Sequence, residues 1–335
     1  MDSIRTSELP EQEQLAAGDS FLVDTTRGTG RLSKDKLYNG YEELLQLSAI
    51  GEEFIITTAS GPRKIKASVL VPELVKIFCG SDFDTQVAVH NSIIRHKVLT
   101  DYYEYSEILT NLANNDISDI YAGDIIERDT PGISVTKYAA KQKAKYVILE
   151  INGLAGYGDT PPTGNHLVMM PLDGLGDAYM NSTNITTDAY QGSYMHKTVM
   201  PAVVNALETA FGSSHLVTTR ELLTNTVVTT YPSMSGANRQ GCSTSASWVD
   251  CRARLMTELE VYGCTAWSSS GYDTYSGIAH QFAAFRDPWV MCRRFFWWLS
   301  AVYDSASFCI VTGDGYPYSY HASSVIRVRP RFVIR

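Results

Sequence analysis

The apolar residues of this chain fall into short runs that predict a mixture of strands and helices. Six runs have the length and the apolar pattern of β-strands. They occupy residues 125–128, 146–152, 166–170, 215–219, 308–312 and 325–334. In the last run, Arg327, Arg329 and Arg331 alternate with apolar residues. We therefore expect these three side chains on the outward side of a closing strand.

A helical period marks two further segments. Across residues 191–211 apolar side chains recur three or four positions apart, and Gly212 is a suitable terminator. The face consists of Met195, Val199, Ala202, Val203, Ala206 and Ala210. A second helix is predicted from Asp250, a good N-cap, to a stop at Gly263. Helices set between irregular strands favour an α+β fold over a plain sandwich or a doubly wound sheet.

A repeat lies near the N-terminus, where residues 18–37 (GDSFLVDTTRGTGRLSKDKL) align without a gap on residues 51–70 (GEEFIITTASGPRKIKASVL). The offset is 33 positions (51 − 18). Each copy predicts a strand (21–24 and 54–57), a glycine-containing turn, a second strand with a basic residue, and a short helix, at 34–46 in the first copy. One copy is too small to bury a useful core, so we expect it to pack on its twin or on other chains. The duplication either extends a stalk or docks the protein onto a larger assembly.

The C-terminal segment combines a dense aromatic run with polar loops. Phe295, Phe296, Trp297 and Trp298 stand together, and loops rich in tyrosine, serine and aspartate follow. We expect at least one of the two tryptophans in the core. Tyrosine and serine provide contact area and hydrogen bonds at low entropic cost. The pattern therefore indicates recognition rather than bond-breaking.

The composition is that of a folded protein without nucleic-acid-binding character. Of the 335 residues, 44% are hydrophobic and 19% are charged, as in chains that form a core. The formal net charge of −8 argues against a nucleic-acid partner, since such proteins need a basic face. At this length we expect two or three structural units.

Neither a membrane segment nor a cofactor site is visible in the sequence. The opening residues include no basic leader followed by an apolar segment, so we expect no secretory signal and synthesis in a cytoplasm. Since no run of about 18 apolar residues occurs, no membrane span is expected. The six cysteines form no Cys-x-x-Cys pair and no close cluster with histidine. We therefore expect free thiols, no metal and no cofactor.

The opening segment resembles the N-terminal segment common in bacteriophage fibre and appendage proteins. There a Ser-x-Leu-Pro precedes a spacer, a Gly-Asp strand, a hairpin and a basic strand. The matching residues are Ser7, Leu9, Pro10, Gly18, Asp19, Leu22, Val23, Arg31 and Leu32.

An ordered series of phrases in the rest of the chain resembles the C-terminal domain of virion proteins of gut-bacterial siphoviruses. The series includes HNSII, DIYAGDII, NHLVMMP, MNSTNITTDAYQGSYM, ELEVYG, FFWWLS, SFCIVTGDG and VRPRF. That domain is similar to the C-type-lectin-like fold of phage tropism determinants and formylglycine-generating enzymes. The resemblance implies two small N-terminal β-hairpin and helix modules, residues 1–47 and 48–87, followed by a C-type-lectin-like α+β domain over residues 88–335.

In tropism determinants of this fold, the residues between the tryptophan run and the closing strand vary and contact the host. Carried over by position, the resemblance implies a receptor-binding set of Tyr303, Asp304, Ser305, Ser307, Asp314, Tyr316, Tyr318, Tyr320 and His321. The alternative for each tyrosine is a partly buried ring with a hydrogen-bonded hydroxyl. Pro317 would hold the loop extended and lower the entropic cost of contact.

Known chemistries of the fold find no support in the residues. The Glu-Pro-Asn, Gln-Pro-Asp and Trp-Asn-Asp triplets of calcium lectins do not occur. Cys292 and Cys309 flank the aromatic run, but no motif supports catalysis, and two buried thiols are expected. Asp173, Asp177 and Asp188 could hold a cation, but solvated loop acids are the expected state.

The expected function is that of a non-enzymatic phage appendage. The N-terminal repeats would attach it to other virion proteins of capsid or tail, and the C-terminal loops would bind a host surface protein or glycan. We expect a homotrimer located in the virion after synthesis in the bacterial host cytoplasm, with no nucleic-acid or membrane partner. Two alternatives remain: a capsid head fibre or decoration protein, and an enzyme acting on surface glycans, for which no pair of carboxylates stands out.

Overall fold

A computed structural model describes residues 20–25, 28–32, 53–58, 61–66, 85–138, 142–227, 243–268 and 280–335. The chain divides into two compact units, Met1–Val89 and His90–Arg335. Among the described residues, no helix is long and apolar enough to cross a membrane.

The two copies of the repeat form one antiparallel sheet in the first unit. Its strands are β1 (Ser20–Thr25), β2 (Gly28–Leu32), β3 (Glu53–Thr58) and β4 (Gly61–Lys66). Their order is β2-β1-β3-β4, so each predicted hairpin is present and the two hairpins pair through β1 and β3. The predicted helix over residues 34–46 lies outside the described residues.

The register of this sheet follows the repeat. Thr25 pairs with Gly28 in the first hairpin, and Thr58 pairs with Gly61 in the second. Across the central seam, Leu22 pairs with Ile55, its own equivalent in the other copy. A pseudo-twofold axis therefore passes through this pair, and each hairpin continues the sheet of its twin.

The second unit is a mixed α+β fold. The helices are α1 (Thr85–Ser92), α2 (Tyr105–Ala113), α3 (Met200–Phe211), α4 (Glu258–Tyr262) and α5 (Pro288–Met291), with 3-10 turns at Leu99–Asp101, Ser134–Thr136 and Ala283–Arg286. The strands are β5 (Ile125–Thr130), β6 (Gln142–Ile151), β7 (Leu167–Pro171), β8 (Asp177–Ala178), β9 (Thr219–Val227), β10 (Ser243–Cys251), β11 (Ala253–Arg254), β12 (Trp297–Val302), β13 (Ser307–Val311), β14 (Pro317–His321), β15 (Ile326–Arg327) and β16 (Arg331–Ile334). Four of the six predicted strands correspond to β5, β6, β7 and β13.

Two five-stranded sheets contribute to one hydrophobic core. Sheet I has the order β11-β16-β7-β6-β5, and sheet II has the order β14-β13-β12-β15-β8. Strands β9 and β10 form a separate two-stranded sheet. Val147 and Met170 of sheet I share the core with Trp297, Cys309 and Val311 of sheet II, and all five are fully buried. Strand β14 is left at an edge of sheet II.

The long predicted helix is present in part. Met195–Val199 forms one π-helical stretch, which continues into α3. Five members of the predicted face are buried, whereas Ala202 is half-buried. The helix ends at Gly212 as predicted, and its φ of 90° is one that glycine adopts readily.

The prediction of a helix from Asp250 was wrong at its start. Asp250 lies in β10, and α4 begins only after Thr257, whose hydroxyl accepts a hydrogen bond from the Glu260 backbone N–H. The Glu260 side chain in turn accepts from the Thr257 N–H, at 2.7 Å, which completes a capping box. The predicted stop at Gly263 is correct, since this residue has a φ of 76°.

Two predicted strands need correction. Residues 215–219 form only an isolated bridge from Leu216 to Ile334, and the strand of this region starts at Thr219. Residues 325–334 form two short strands rather than one: β15 belongs to sheet II and β16 to sheet I. Pro330, which has no N–H to donate, lies between them.

The prediction of outward arginines was also wrong, because Arg329 and Arg331 are fully buried and Arg327 is half-buried. Arg331 Nε donates to Glu260 at 2.6 Å and its Nη2 donates to Glu221 at 2.7 Å. Arg254 bridges the same two carboxylates at 2.9 and 2.7 Å. Burial alone would raise the pKa of Glu221, but the two guanidinium groups outweigh it and lower this pKa to about 2.

Arg329 is buried without a carboxylate partner among the described residues. Its guanidinium lies 4.6 Å from the centre of the Trp297 ring and donates to the carbonyl oxygen of Val290 at 3.0 Å. Burial, together with repulsion from Arg293, lowers the pKa of Arg329 to about 9. The indole ring therefore holds this cation in place of a counter-ion.

Candidate functional site

Strand β14 presents a row of exposed tyrosines at the edge of sheet II. Tyr316, Tyr318 and Tyr320 are 57%, 45% and 41% exposed. Among the described strands, β14 pairs with β13 alone, in a register that sets Tyr318 opposite Ile310 and Tyr320 opposite Phe308. Ile310 and Phe308 are fully buried, so β13 belongs to the core while the neighbouring strand β14 exposes its tyrosines to solvent.

Trp267 connects the tyrosines of two separate loops. Its ring lies 6.0 Å from Tyr303, 6.0 Å from Tyr316 and 5.1 Å from Tyr318, measured between ring centroids. Tyr303 follows β12, whereas Tyr316 precedes β14, so the indole spans the two ends of β13. We call these four residues the aromatic platform. Ring pairs of this kind contribute about 0.5–1.5 kcal/mol each beyond burial.

A buried carboxylate fixes the segment that bears Trp267. Glu258 is 3% exposed and lies in the first turn of α4. It accepts hydrogen bonds from the Trp267 N–H at 2.7 Å, from the Ser268 N–H at 3.1 Å and from the Ser268 hydroxyl at 2.6 Å. Charge-assisted hydrogen bonds are roughly twice as strong as neutral ones. Glu258 therefore positions the indole without reaching the surface itself.

The turn between β13 and β14 is held at several points. The Thr312 hydroxyl donates to the Asp314 carboxylate, which lowers the pKa of Asp314. The Tyr262 hydroxyl donates to the carbonyl oxygen of Gly315 at 3.1 Å, and the Cys292 thiol donates to that of Asp314 at 3.1 Å. Gly315 has a φ of 84°, and a Cβ there would lie 2.8 Å from the Cys292 sulfur. The turn is thus preorganised, which lowers the entropic cost of binding.

The remaining predicted residues lie around this platform in different environments. The Asp304 carboxylate accepts from the Ala306 N–H at 2.8 Å, and Ser305 is exposed. Ser307 is buried and pairs with exposed His321 in the β13–β14 register. Tyr320 lies 6.0 Å from the ring of Phe296, which is 42% exposed. The structure therefore brings together Tyr303, Tyr316 and Tyr318, and places Tyr320 beside a second ring further along β14.

The two tryptophans that begin β12 belong to the core and support this surface. Trp297 and Trp298 are both fully buried. The Trp298 indole N–H donates to the carbonyl oxygen of Ala178 at 2.8 Å, which joins β12 to the far edge strand of sheet II. The prediction that at least one of them belongs to the core is confirmed.

Trp267 and Phe296 are the residues of this surface that the sequence reasoning left out. Phe296 belongs to the aromatic run that the sequence showed, and it lies directly before β12, all of whose residues are buried. Trp267 gave no local signal, since its ring partners lie 36 or more positions away (303 − 267).

Other clusters of polar side chains are engaged with one another. Among the described residues, no group of three or more His, Cys, Asp and Glu side chains could hold a metal ion. Asp173 pairs with Arg293 at 2.5 Å, and Asp177 pairs with Arg327 at 2.6 Å. Burial raises the pKa of the Cys309 thiol well above its usual range, and Glu258 adds to this effect. Such a thiol is a weak nucleophile.

One histidine forms a short chain of hydrogen bonds. His280 contacts Glu150 through Nε2 at 3.0 Å and the Tyr157 hydroxyl through Nδ1 at 3.1 Å. The hydrogen bond to Glu150 raises the pKa of His280. The arrangement stabilises a charged imidazolium near neutral pH.

Comparisons with models of protein families, with curated proteins and with solved structures found no match to this chain. The function is therefore inferred from the geometry of the aromatic platform.

Proposed function

We propose that this chain is a non-enzymatic recognition protein that binds a partner surface through the aromatic platform. The single supporting observation is a set of aromatic rings that a buried carboxylate and a rigid turn hold in place; Tyr316 and Tyr318 are exposed, and Trp267 and Tyr303 are half-buried. Rigid aromatic side chains are the anchors that recognition surfaces favour, because few torsions are frozen on contact.

The resemblance stated above supplies the biological setting of the proposal. The protein is a bacteriophage virion appendage with a C-type-lectin-like domain, and the platform binds a receptor on the host cell. In a homotrimer, three platforms act together, so that weak single sites give strong adhesion through avidity.

The N-terminal sheet serves as the attachment module in this proposal. Strands β2 and β4 are the outer strands of the four-stranded sheet, and each has one edge that pairs with no described strand. Such edges accept an added strand from a partner through backbone hydrogen bonds. The partners proposed are other virion proteins of capsid or tail.

The test is binding of the purified full chain to a panel of gut bacterial strains. Wild type should bind at least one strain in a saturable manner, and the triple variant Tyr316→Ala, Tyr318→Ala, Tyr320→Ala should lose that binding. Tyr102→Ala is the matched control, because Tyr102 is 69% exposed and lies outside the platform and β14. Equal binding by wild type and the triple variant would refute the proposal.

Attachment and assembly are tested on the particle. Light scattering on the eluting protein should give three times the chain mass. An antibody to the C-terminus should label the tail in micrographs. Label on the capsid would instead favour a head fibre or decoration protein.

A further inference from the structure

The platform also carries an argument about the chemical class of its ligand, which rests on the proposed function. We propose that the ligand is a neutral glycan. The C–H faces of its sugar rings would stack on the exposed rings of Tyr316 and Tyr318, which contact half-buried Trp267, and its hydroxyls would bind the phenols. Three properties of the surface support this class over a protein or an anionic polymer.

Within the part of the chain that the structure describes, no group hydrogen-bonds to the hydroxyls of Tyr316, Tyr318 or Tyr320. By contrast, the hydroxyl of Tyr262, which lies beneath the same turn, is bonded to Gly315. A free phenol both donates and accepts, as does every sugar hydroxyl.

The surroundings of the platform differ from those of other aromatic rings in the described part of the chain. Elsewhere, guanidinium groups lie over aromatic rings, as Arg327 lies 4.8 Å from the ring centre of Phe295. Among the described side chains, no lysine or arginine lies over a ring of the platform. The loops that follow β12 and β13 carry the carboxylates Asp304 and Asp314. Exposed Arg294 lies beside the second loop, where its backbone N–H donates to the carbonyl oxygen of Gly313 at 3.1 Å. Anionic sugars and phosphates need arginine or lysine partners, and the two carboxylates disfavour them on this surface.

The exposed area is small. Tyr316, Tyr318, Tyr320 and Phe296 are between 41% and 57% exposed. With a full aromatic side-chain area of about 150–250 Å², they offer on the order of 400 Å² together. A standard protein interface needs about 800 Å² from each partner. These four rings alone therefore cover the footprint of a few sugar units, whereas a folded protein would also need contacts from the surrounding loops.

The experiment uses a strain that the full chain binds. Cells are treated with sodium periodate, which cleaves vicinal diols of sugars and leaves peptide bonds intact, then quenched and washed before the protein is added. A parallel sample is treated with proteinase K. We expect periodate to reduce binding at least 10-fold. Binding to untreated cells should change less than 2-fold between low and high salt, because no charge pair is involved.

Each outcome decides a different point. Binding that survives periodate overturns the glycan class, and if proteinase K then removes it, the proposed function stands with a protein receptor. If periodate removes binding and binding also depends steeply on salt, the ligand is a glycan but is not neutral. If the wild-type chain binds none of the strains, or binds them no better than the triple variant does, both the proposed function and this inference are refuted.

Discussion

The carboxylate of Glu258 accepts a hydrogen bond of 2.7 Å from the backbone N–H of Trp267. This contact links a buried residue of α4 to the central ring of the aromatic platform. In the proposed function, Glu258 thus contributes to both recognition and folding, and a substitution of this residue should affect both.

The first prediction concerns this contact. In Glu258→Gln an amide replaces the carboxylate and turns one donor toward the N–H groups of Trp267 and Ser268. We expect binding to cells to weaken about 10-fold, and the free energy of unfolding to fall by about 1–3 kcal/mol. Cell-binding titrations and urea unfolding measure the two effects.

Ser268→Ala is the graded companion of this variant. It removes the hydroxyl bond of 2.6 Å but keeps both N–H bonds to Glu258, so its effect should be smaller in both assays. A larger loss in Ser268→Ala than in Glu258→Gln would contradict the positioning role.

The second prediction separates backbone strain from crowding in the β13–β14 turn. Gly315 and Gly156 have φ values of 84° and 76°, but only Gly315 is crowded by the Cys292 sulfur. We expect Gly156→Ala to cost about 1 kcal/mol from conformational strain alone. Gly315→Ala should cost about 2 kcal/mol and weaken binding to cells. Equal losses in the free energy of unfolding for the two variants would show that the Cys292 side chain moves aside without cost.

The third prediction concerns the buried ion cluster. Arg331→Met leaves Glu221 and Glu260 with Arg254 as their one remaining guanidinium partner among the described residues, so it should lower the free energy of unfolding by about 3–5 kcal/mol. Arg220→Met is the control, since Arg220 pairs with Asp159 and Asp250 at the surface and should matter little. Urea unfolding of both variants checks the difference, and similar values would contradict it.

The fourth prediction concerns pH. Because folding raises the pKa of His280 above its ordinary 6.5, the stability from its bond to Glu150 is fully present below about pH 6.5. It is lost as the pH rises through the raised pKa. The difference in melting temperature between wild type and Glu150→Gln should therefore shrink from about pH 6 to about pH 8.5. A constant difference would show that Glu150 does not raise the pKa of His280.

Local patterns were sufficient where an element depends on its own residues. The repeat predicted both N-terminal hairpins, because apolar positions and turn glycines specify them within one copy. Gly212 and Gly263 were found as helix ends for the same reason. The capping box from Thr257 to Glu260 was also readable, but Asp250 offered a competing cap seven positions earlier (257 − 250).

Patterns failed where the partner lies far along the chain. Alternation predicted solvent-exposed side chains for Arg329 and Arg331, but both are buried. Arg329 stacks on Trp297, and Arg331 pairs with Glu221, which lies 110 positions away. Trp267 was missed likewise, since its tyrosines belong to other elements. Of the surface, the sequence therefore revealed the tyrosines but neither their central ring nor the carboxylate beneath it.

The pairing of Leu22 with Ile55 has a consequence for valency. Because the axis through this pair exchanges the two hairpins, it also exchanges the outer strands β2 and β4. Thr29 of β2 and Pro62 of β4 are equivalent under this exchange, and proline has no N–H to donate. The two outer strands therefore differ in their backbone donors, so an added strand that suits β2 would meet a different edge on β4.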